Sequence, residues 1–594
     1  MMRRLLFALV FVLALVPLTA HAALERQAFT ITKWELEVNV NPREQSLRAS
    51  GKLTLRNDSK TPQRHVSLQV SSSLAWSSVQ ADGKPAQYLA ERYTTDIDHT
   101  GAVSEAVVTL ARDVAPGGSV ELEVAYGGMV ARDGTRLTRI GAPAAVARRN
   151  DWDQIGGDFT AVRGIGYVCW YPVTLDAVSL SNGNEVFDAL GAWKRQHAAS
   201  SMQVKLTVTA DRAGVVPLSN EHEAAATGAS SGTLVSGATD AATNTKTQFT
   251  RRQELRFSPL ELSVPTFVAG EYKLTEQGTV SVFQLPGHEA AARDYAAVAL
   301  AVQPTIGEWF GAMKRPLTII ELPESDVIPF DSGAYLFTPL ATTDRATLEL
   351  VLAHQLTHAS FDSPRPWIYE GLAHFAQALE REKQEGRAGA LSFMRARLPA
   401  LIEAERQLAA AGANAADASL VASGDEVLLS TKAMSVWWML RDMLGDDALR
   451  HALARYRAGD DREPAYLQRL LESEAKKPLE WFFDDWVYRD RGLPDFRIEA
   501  AYPRPTIAGS YGVTVTVENL GGAAAEVPVF VRAGVGERSG ERVERVQAPA
   551  HGKAVARVLV PAIPTEAEVN DGSVPESDSS NNKFAIKVGK PGEP

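Results

Sequence analysis

Leu350-Val-Leu-Ala-His354-Gln355-Leu-Thr-His358 and, past a Ser363-Pro-Arg-Pro break, Trp367-Ile-Tyr-Glu370-Gly-Leu-Ala-His374-Phe375 carry most of the chemical information in this 594-residue chain. Two histidines four apart on an apolar helix lie on one face, about one turn apart. That spacing lets both imidazoles reach a single Zn2+, which takes His nitrogen and carboxylate oxygen. The third ligand is expected to be a carboxylate on a following helix, and Glu370 stands twelve residues beyond His358. The prolines end the first helix and permit an antiparallel return. Two helices then bring two histidines and one glutamate to one point and leave a fourth position open. Among 11 histidines a single His-x-x-x-His pair has little weight alone. The break and the second helix give it weight.

Outward from this stretch the texture is helical. Ala290 to Trp309 is Ala-rich with helical spacing, Leu317-Thr-Ile-Ile-Glu-Leu is a strand between helices, and Ala/Leu/Arg/Glu helices fill Ala346 to Arg489. Upstream, Phe29 to Lys273 shows short period-two runs such as Thr32-Lys-Trp-Glu-Leu-Glu-Val-Asn-Val, Val120-Glu-Leu-Glu-Val-Ala-Tyr126 and Met202-Gln-Val-Lys-Leu-Thr-Val-Thr. These predict an antiparallel β region. Ala224 to Asn244, small, polar and Gly/Ser/Thr-rich, reads as a loop or disordered insertion. Beyond Pro494, Gly512-Val-Thr-Val-Thr-Val-Glu and Val527-Pro-Val-Phe-Val-Arg alternate again and predict a C-terminal β-sandwich. In the tail, Asp571, Glu576, Asp578, Asn581 and Asn582 read as a solvated acidic turn, with calcium binding as the alternative. Of the consecutive Trp437 and Trp438, one is expected in the core and one along a cleft.

The composition is that of a globular protein, 45% hydrophobic and 22% charged, and a net charge of -11 argues against nucleic acid as a partner. Arg3 and Arg4, the apolar run Leu5 to Leu18 and the small residues Ala20-His21-Ala22 predict a signal peptide over residues 1–22. A periplasmic or secreted protein with no membrane attachment after cleavage is the expectation. Cys169 is the single cysteine, so no internal disulfide forms, and its apolar aromatic setting predicts a buried structural thiol.

The zinc-type helices resemble those of the aminopeptidase N (membrane alanyl aminopeptidase) family of gluzincin zinc metallopeptidases, peptidase-MA-like proteins whose pattern is H-E-x-x-H followed by W-L-x-E-G-F-A. Other segments are similar to family motifs in the family's order. Tyr171-Pro172 through Pro217-Leu-Ser-Asn220 and Ser263-Val-Pro-Thr-Phe-Val-Ala-Gly-Glu-Tyr272 resemble strands of its β-saddle domain. Lys432-Ala-Met-Ser-Val-Trp-Trp-Met-Leu-Arg-Asp-Met-Leu-Gly-Asp446 resembles the K-G-A-x-V-L-x-M-L-R-x-x-L-G helix, and Phe482-Phe-Asp-Asp-Trp-Val with Gly492-Leu-Pro-Asp-Phe496 resembles the close of the catalytic domain. The resemblance spans Phe29 to Phe496. It implies an α+β multidomain protein: an N-terminal antiparallel β-saddle domain over 23–275, a thermolysin-like, mainly α domain over 276–494, and an immunoglobulin-like β-sandwich over 495–594. It further implies one Zn2+ on His354, His358 and Glu370, and a peptide or protein ligand in the cleft.

The sequence departs from the family where the chemistry is done. The glutamate of H-E-x-x-H, which takes a proton from water and passes it to the leaving amine, is Gln355, whose amide has no usable basicity. The G-A-M-E-N motif that receives a substrate's free amine aligns with Gly333, Ala334, Tyr335, Leu336 and Phe337, so the amine-pairing glutamate is Leu336. The tyrosine that stabilises the oxyanion matches Ser430, and the interval between His358 and Glu370 is shorter than usual. His374, four residues past Glu370 on the same face, is a candidate either to hold a metal ligand in place by a hydrogen bond or to serve as an alternative ligand itself. Glu349 should point away, while Tyr369 and Asp362 lie close by in sequence. Three readings follow: a zinc-binding pseudoenzyme, favoured because ligands survive while base, amine anchor and oxyanion donor are altered; an active zinc metallopeptidase with a non-standard base; and an interaction protein with an empty metal site.

Overall fold

The computed structural model describes residues 24–221, 235–236, 249–341, 343–410, 412, 418–506, 509–534 and 540–588. The expected signal peptide lies outside them, as does the 224–244 loop apart from a short strand, Val235–Ser236.

Period-two alternation builds the N-terminal part. Along strand Phe29–Asn41 the residues Trp34, Leu36, Val38 and Val40 are buried and their neighbours face out or lie part-buried, which is the pattern of a sheet packed on one face. This strand sits inside an eight-stranded sheet between Ser46–Asn57 and Ser201–Ala210. The expected antiparallel pairing holds along this sheet with one exception. Phe29–Asn41 runs parallel to Ser201–Ala210, with Lys33 opposite Ser201. A parallel pair requires a crossover, and that path includes a helix, Glu185–His197, whose Val186, Trp193 and His197 are buried. Cys169 is a free, buried thiol pushed well up in pKa by burial, in keeping with a structural role.

A five-stranded sheet follows, in the order Lys273–Gln277, Val280–Gln284, Leu317–Glu321, Tyr335–Thr338, Phe330–Ser332. Its three central strands are parallel, and Phe330–Ser332 folds back antiparallel on Tyr335–Thr338. Gly333, at φ 58°, closes that hairpin in the left-handed region, where a side chain would be strained. Alternate residues divide between two cores. Leu317, Ile319 and Leu336 join the helices, while Ile320, Tyr335 and Phe337 join a small aromatic cluster with Trp152, Phe159 and Tyr272.

The helical core is closed by helix Ala433–Leu444, in which every residue from Ala433 to Leu440 is buried. Over 433–440, Ser435 included, the helix is enclosed on every side and has no cleft face. Trp437 stacks on Trp367 with ring centres 5.5 Å apart, and Trp438 meets Phe375 edge-on at 6.3 Å. Both tryptophans are therefore core, contrary to the expected division. Close packing sets the neighbouring helix as well: a Cβ on Gly371 would stand 2.8 Å from the Ala433 Cβ and 2.9 Å from Trp437 Nε1. Only glycine allows this crossing. No helix among the described residues is long and apolar enough to cross a membrane.

Residues from Phe496 form two sheets, one of three strands and one of four, whose valines (Val513, Val515, Val527, Val529, Val558) share one core. The solvated acidic turn is corrected in part. Glu576 is only 3% exposed. Its Oε1 accepts from Asn570 and Asn582 side-chain amides, each at 2.6 Å, and its Oε2 from Phe496 N at 3.3 Å. Burial pushes the Glu576 carboxyl up to about 7 against the pull of these donors. A carboxyl raised on folding binds more protons folded than unfolded, so its contribution is present in acid and lost as pH rises through about 7. Unfolding free energy measured by denaturant titration from pH 5 to 8 should carry this fall, and Glu576→Gln should remove it.

Candidate metal centre

The histidine helix, Arg345–Ser360, starts at Asp344, whose carboxylate accepts from Thr347 N at 3.0 Å and from Thr347 Oγ1 at 2.7 Å. This N-cap satisfies donors that the helix cannot. Leu348, Leu352, Ala353 and Leu356 bury one side of the helix in the core, while His354 and His358 face Glu370 of the following helix. The chain then breaks at 361–365, where Ser363 Oγ meets Tyr456 OH at 2.9 Å and Arg365 pairs with Asp461 at 2.7 Å. The glutamate helix begins with Pro366, whose missing N–H is harmless in a first turn. Trp367, Ile368, Gly371 and Leu372 pack inward, which directs Glu370 back across the histidines.

The shortened interval still closes the site. His354 Nε2 and His358 Nε2 lie 3.2 Å apart, and each is 3.7 Å from Glu370 Oε2. Three ligands at about 2.0–2.1 Å from a tetrahedral zinc stand roughly 3.3–3.4 Å from one another, so this triangle is of the right size. The donor set, two imidazole nitrogens and one carboxylate, is also what a zinc site with an open position uses. The residues present fit the ion.

Electrostatics agree. For Glu370 burial alone would raise the carboxyl, but adjacent His358 and His354 overcome it and hold the group down at about 2. Burial lowers His358 too, yet Glu370 and Asp331 outweigh it and leave it raised. Burial together with His358 and His374 drives His354 well below its ordinary value. His354 thus gives up its proton more readily than an ordinary imidazole and His358 less readily, and any proton on either nitrogen competes with a cation. Both Nδ1 atoms are buried with no hydrogen-bond partner among the described residues. Ligand imidazoles are usually oriented through that atom, and loss of such a partner costs about 10–100-fold in metal affinity.

Gln355 is 6% exposed. Its Nε2 donates to Thr338 Oγ1 at 3.2 Å, and its Oε1 is buried without a partner. Leu336 is fully enclosed in the helical core, so the position of the family's amine anchor is spent on packing. Tyr335 faces the other side of the sheet and its OH reaches Glu221 O at 3.3 Å. Ala334 is buried at the edge of the same hairpin. Ser430 lies on a π-helical turn, Leu428–Lys432, with Thr431 Oγ1 at 3.5 Å from its hydroxyl. His374 sets its ring edge-on to His354 at 4.7 Å and pairs through Nδ1 with Gln377 at 3.0 Å; it stands beside the three convergent donors and is not one of them. Glu349 turns away to Arg345 and Gln384.

One residue escaped the sequence reading. The Asp331 carboxylate accepts a short hydrogen bond from Tyr369 OH, and the Tyr369 ring stacks on His358 with centres 3.9 Å apart. Only the hairpin register, which sets Asp331 opposite Leu336, brings it to the site.

An α+β chain in which two histidines and a glutamate from adjoining helices converge has the fold of the M1 zinc metallopeptidases. Similar solved structures are a point-mutant two-domain M1 zinc metallopeptidase bound to L-tryptophan, at 17% identity and TM-score 0.50 over 79% of this chain and 96% of that one, and the M1 zinc metallopeptidase of Deinococcus radiodurans, at 17% identity and TM-score 0.48 over the same shares. A mutant of the latter bound to a Tyr-Ser-Ala substrate is similar at 17% identity and TM-score 0.49, again over 79% and 96%. No protein-family model matches the chain, and no curated protein matches it in sequence.

Proposed function

We propose that the protein is an exported, zinc-binding member of the M1 metallopeptidases that holds a peptide or protein segment in its cleft and cleaves it slowly or not at all. The observation that carries this is Gln355, an amide in the place of the base, tied to Thr338 and beside a ligand triangle of zinc dimensions. Zinc held by His354, His358 and Glu370 would supply Lewis acidity toward water or a peptide carbonyl. The chain's own groups then limit the reaction. Gln355 Oε1 can accept a hydrogen bond from water and orient it, and cannot take its proton. Ser430 carries a hydroxyl several ångströms shorter in reach than a tyrosine, and one lost oxyanion donor costs about 10²–10³-fold in rate. Leu336 gives an ammonium group no counter-charge.

Export is part of the same reading and rests on the Arg3-Arg4 pair, the apolar run and the Ala20-His21-Ala22 site; the division at 23–275, 276–494 and 495–594 belongs to it too and rests on the resemblance of the chain's segments to those of the family. The test uses the mature chain loaded with zinc and assayed on blocked and unblocked peptides. One zinc per chain with turnover no faster than that of His354→Ala is expected. Turnover that vanishes on chelation and in His354→Ala would overturn the loss of hydrolysis.

A further inference from the structure

We infer that Arg397 receives the α-carboxylate of a short peptide whose backbone crosses the metal centre. The inference rests on the reading of the site as a zinc-bound peptide site and adds the class of peptide it takes, one with a free C-terminus.

A break in its own helix brings Arg397 to the site. Glu370, His374, Gln377 and Arg381 recur at helical spacing and form one stripe. Along it His374 sets its ring on His354 at 4.7 Å, and Gln377 Nε2 donates to Leu350 O of the histidine helix at 3.2 Å. A straight helix would carry residue 397 about 35 Å from His374. The helix breaks at Gly386, whose φ of 74° and ψ of 177° are not helical. Past the break, Arg397 stands close enough to Arg381 and His374 for its charge to be felt at both, so the chain has turned back along the stripe.

The guanidinium is held but not neutralised. Its Nη1 donates to Phe393 O at 3.0 Å, and its carbon lies 3.7 Å from the centre of the Phe393 ring. Among the described residues no carboxylate pairs with it: burial and then Arg381 both lower it. Burial works against Arg387 and Arg441 too, yet Asp442 raises the first, and Asp446 with Glu382 the second. Arg381 has Glu385 at 2.7 Å. Arg397 is therefore a half-buried cation whose nearest charge is of its own sign.

Chemistry narrows the ligand. Guanidinium only donates, and its planar fork matches a carboxylate in two parallel bonds. The approach from the metal is open, since the His354 and Glu370 side chains keep 25% and 31% of their exposure. On the stripe, positions 374 to 381 lie about 6–16 Å from Glu370, which about two to five extended residues span. A peptide with a carbonyl at the metal thus brings its terminal carboxylate to Arg397.

The test is calorimetric titration of the zinc-loaded mature chain with acetyl-alanyl-alanyl-phenylalanine, with its C-terminal amide, and with acetyl-alanyl-alanyl-glutamic acid α-amide. Wild type should prefer the free acid to its amide by about tenfold or more, the size of one charge-assisted bond, and should bind the glutamyl amide no better than the plain amide. Arg397→Gln should remove the preference with zinc content unchanged. Arg397→Lys keeps the charge without the fork and should keep a reduced preference, which separates the anchor from general damage. A preference that survives in Arg397→Gln would place the carboxylate on the metal and overturn the proposal. So would equal binding of acid and amide by wild type, binding of neither, or a glutamyl amide that binds as well as the acid. Failure of the underlying reading shows separately, as zinc below one per chain or rapid hydrolysis in the wild-type sample, and the same titration of the zinc-free chain still reads the preference for the acid.

Discussion

Gln355→Glu should raise the rate of peptide hydrolysis by about 10²–10⁴-fold, the usual contribution of a positioned general base. The substitution is nearly isosteric. A Glu carboxylate would accept from the Thr338 hydroxyl that now accepts from Gln355 Nε2 at 3.2 Å, since that hydroxyl can turn to donate. The second side-chain oxygen would lie where the unpartnered Gln355 Oε1 lies now, with lone pairs to take a proton from water. Burial at this position raises the carboxyl toward neutrality, where a base works best. The gain is read as initial rate on free-amine and blocked dipeptides at matched zinc content. An unchanged rate would mean that Leu336 and Ser430 had already made the cleft unfit, and that the missing base is not what limits hydrolysis.

The second large effect concerns the ion. His358→Ala removes one of three donors and should reduce bound zinc from one per chain to none after dialysis, as measured by mass spectrometry of the metal. Wild type should melt lower once chelated. A ligand at 100 times its Kd stabilises the folded state by about 2.7 kcal/mol, and His358→Ala should show no such dependence. The comparison is made within each protein, with and without chelator, because His358 is only 5% exposed and supports the Tyr369 ring, so its loss lowers the baseline by itself. Acid should weaken the wild-type site as well: Glu370 and Asp331 keep His358 protonated to higher pH, and that proton competes with the metal. A His358→Ala variant that retains one zinc would assign the ion to other residues.

What the sequence revealed and what it hid divide by range of interaction. The metal triad was legible because helical period places His354 over His358, and the proline break dictates a return that carries Glu370. Gln355 and Leu336 were legible as substitutions within motifs. Asp331 was not, since its importance depends on a hairpin register and on the Tyr369 hydroxyl 38 residues away. The parallel pairing of Phe29–Asn41 was hidden for the same reason, its partner strand lying far downstream beyond a helix with few core residues. Trp437 and Trp438 misled because adjacent residues on a helix ordinarily face different surroundings, whereas this helix is enclosed all round. Glu576 looked solvated among acidic and amide residues, yet those amides, Asn570 and Asn582, are the donors that permit its burial.

Diffraction from crystals of the zinc-loaded chain, collected at the zinc absorption edge, tests the account at its centre. One anomalous peak is expected, with His354 Nε2, His358 Nε2 and a Glu370 oxygen at about 2.0–2.2 Å and the fourth position open toward Gln355. A peak elsewhere, no peak at all, or a fourth protein ligand closing the coordination would contradict it.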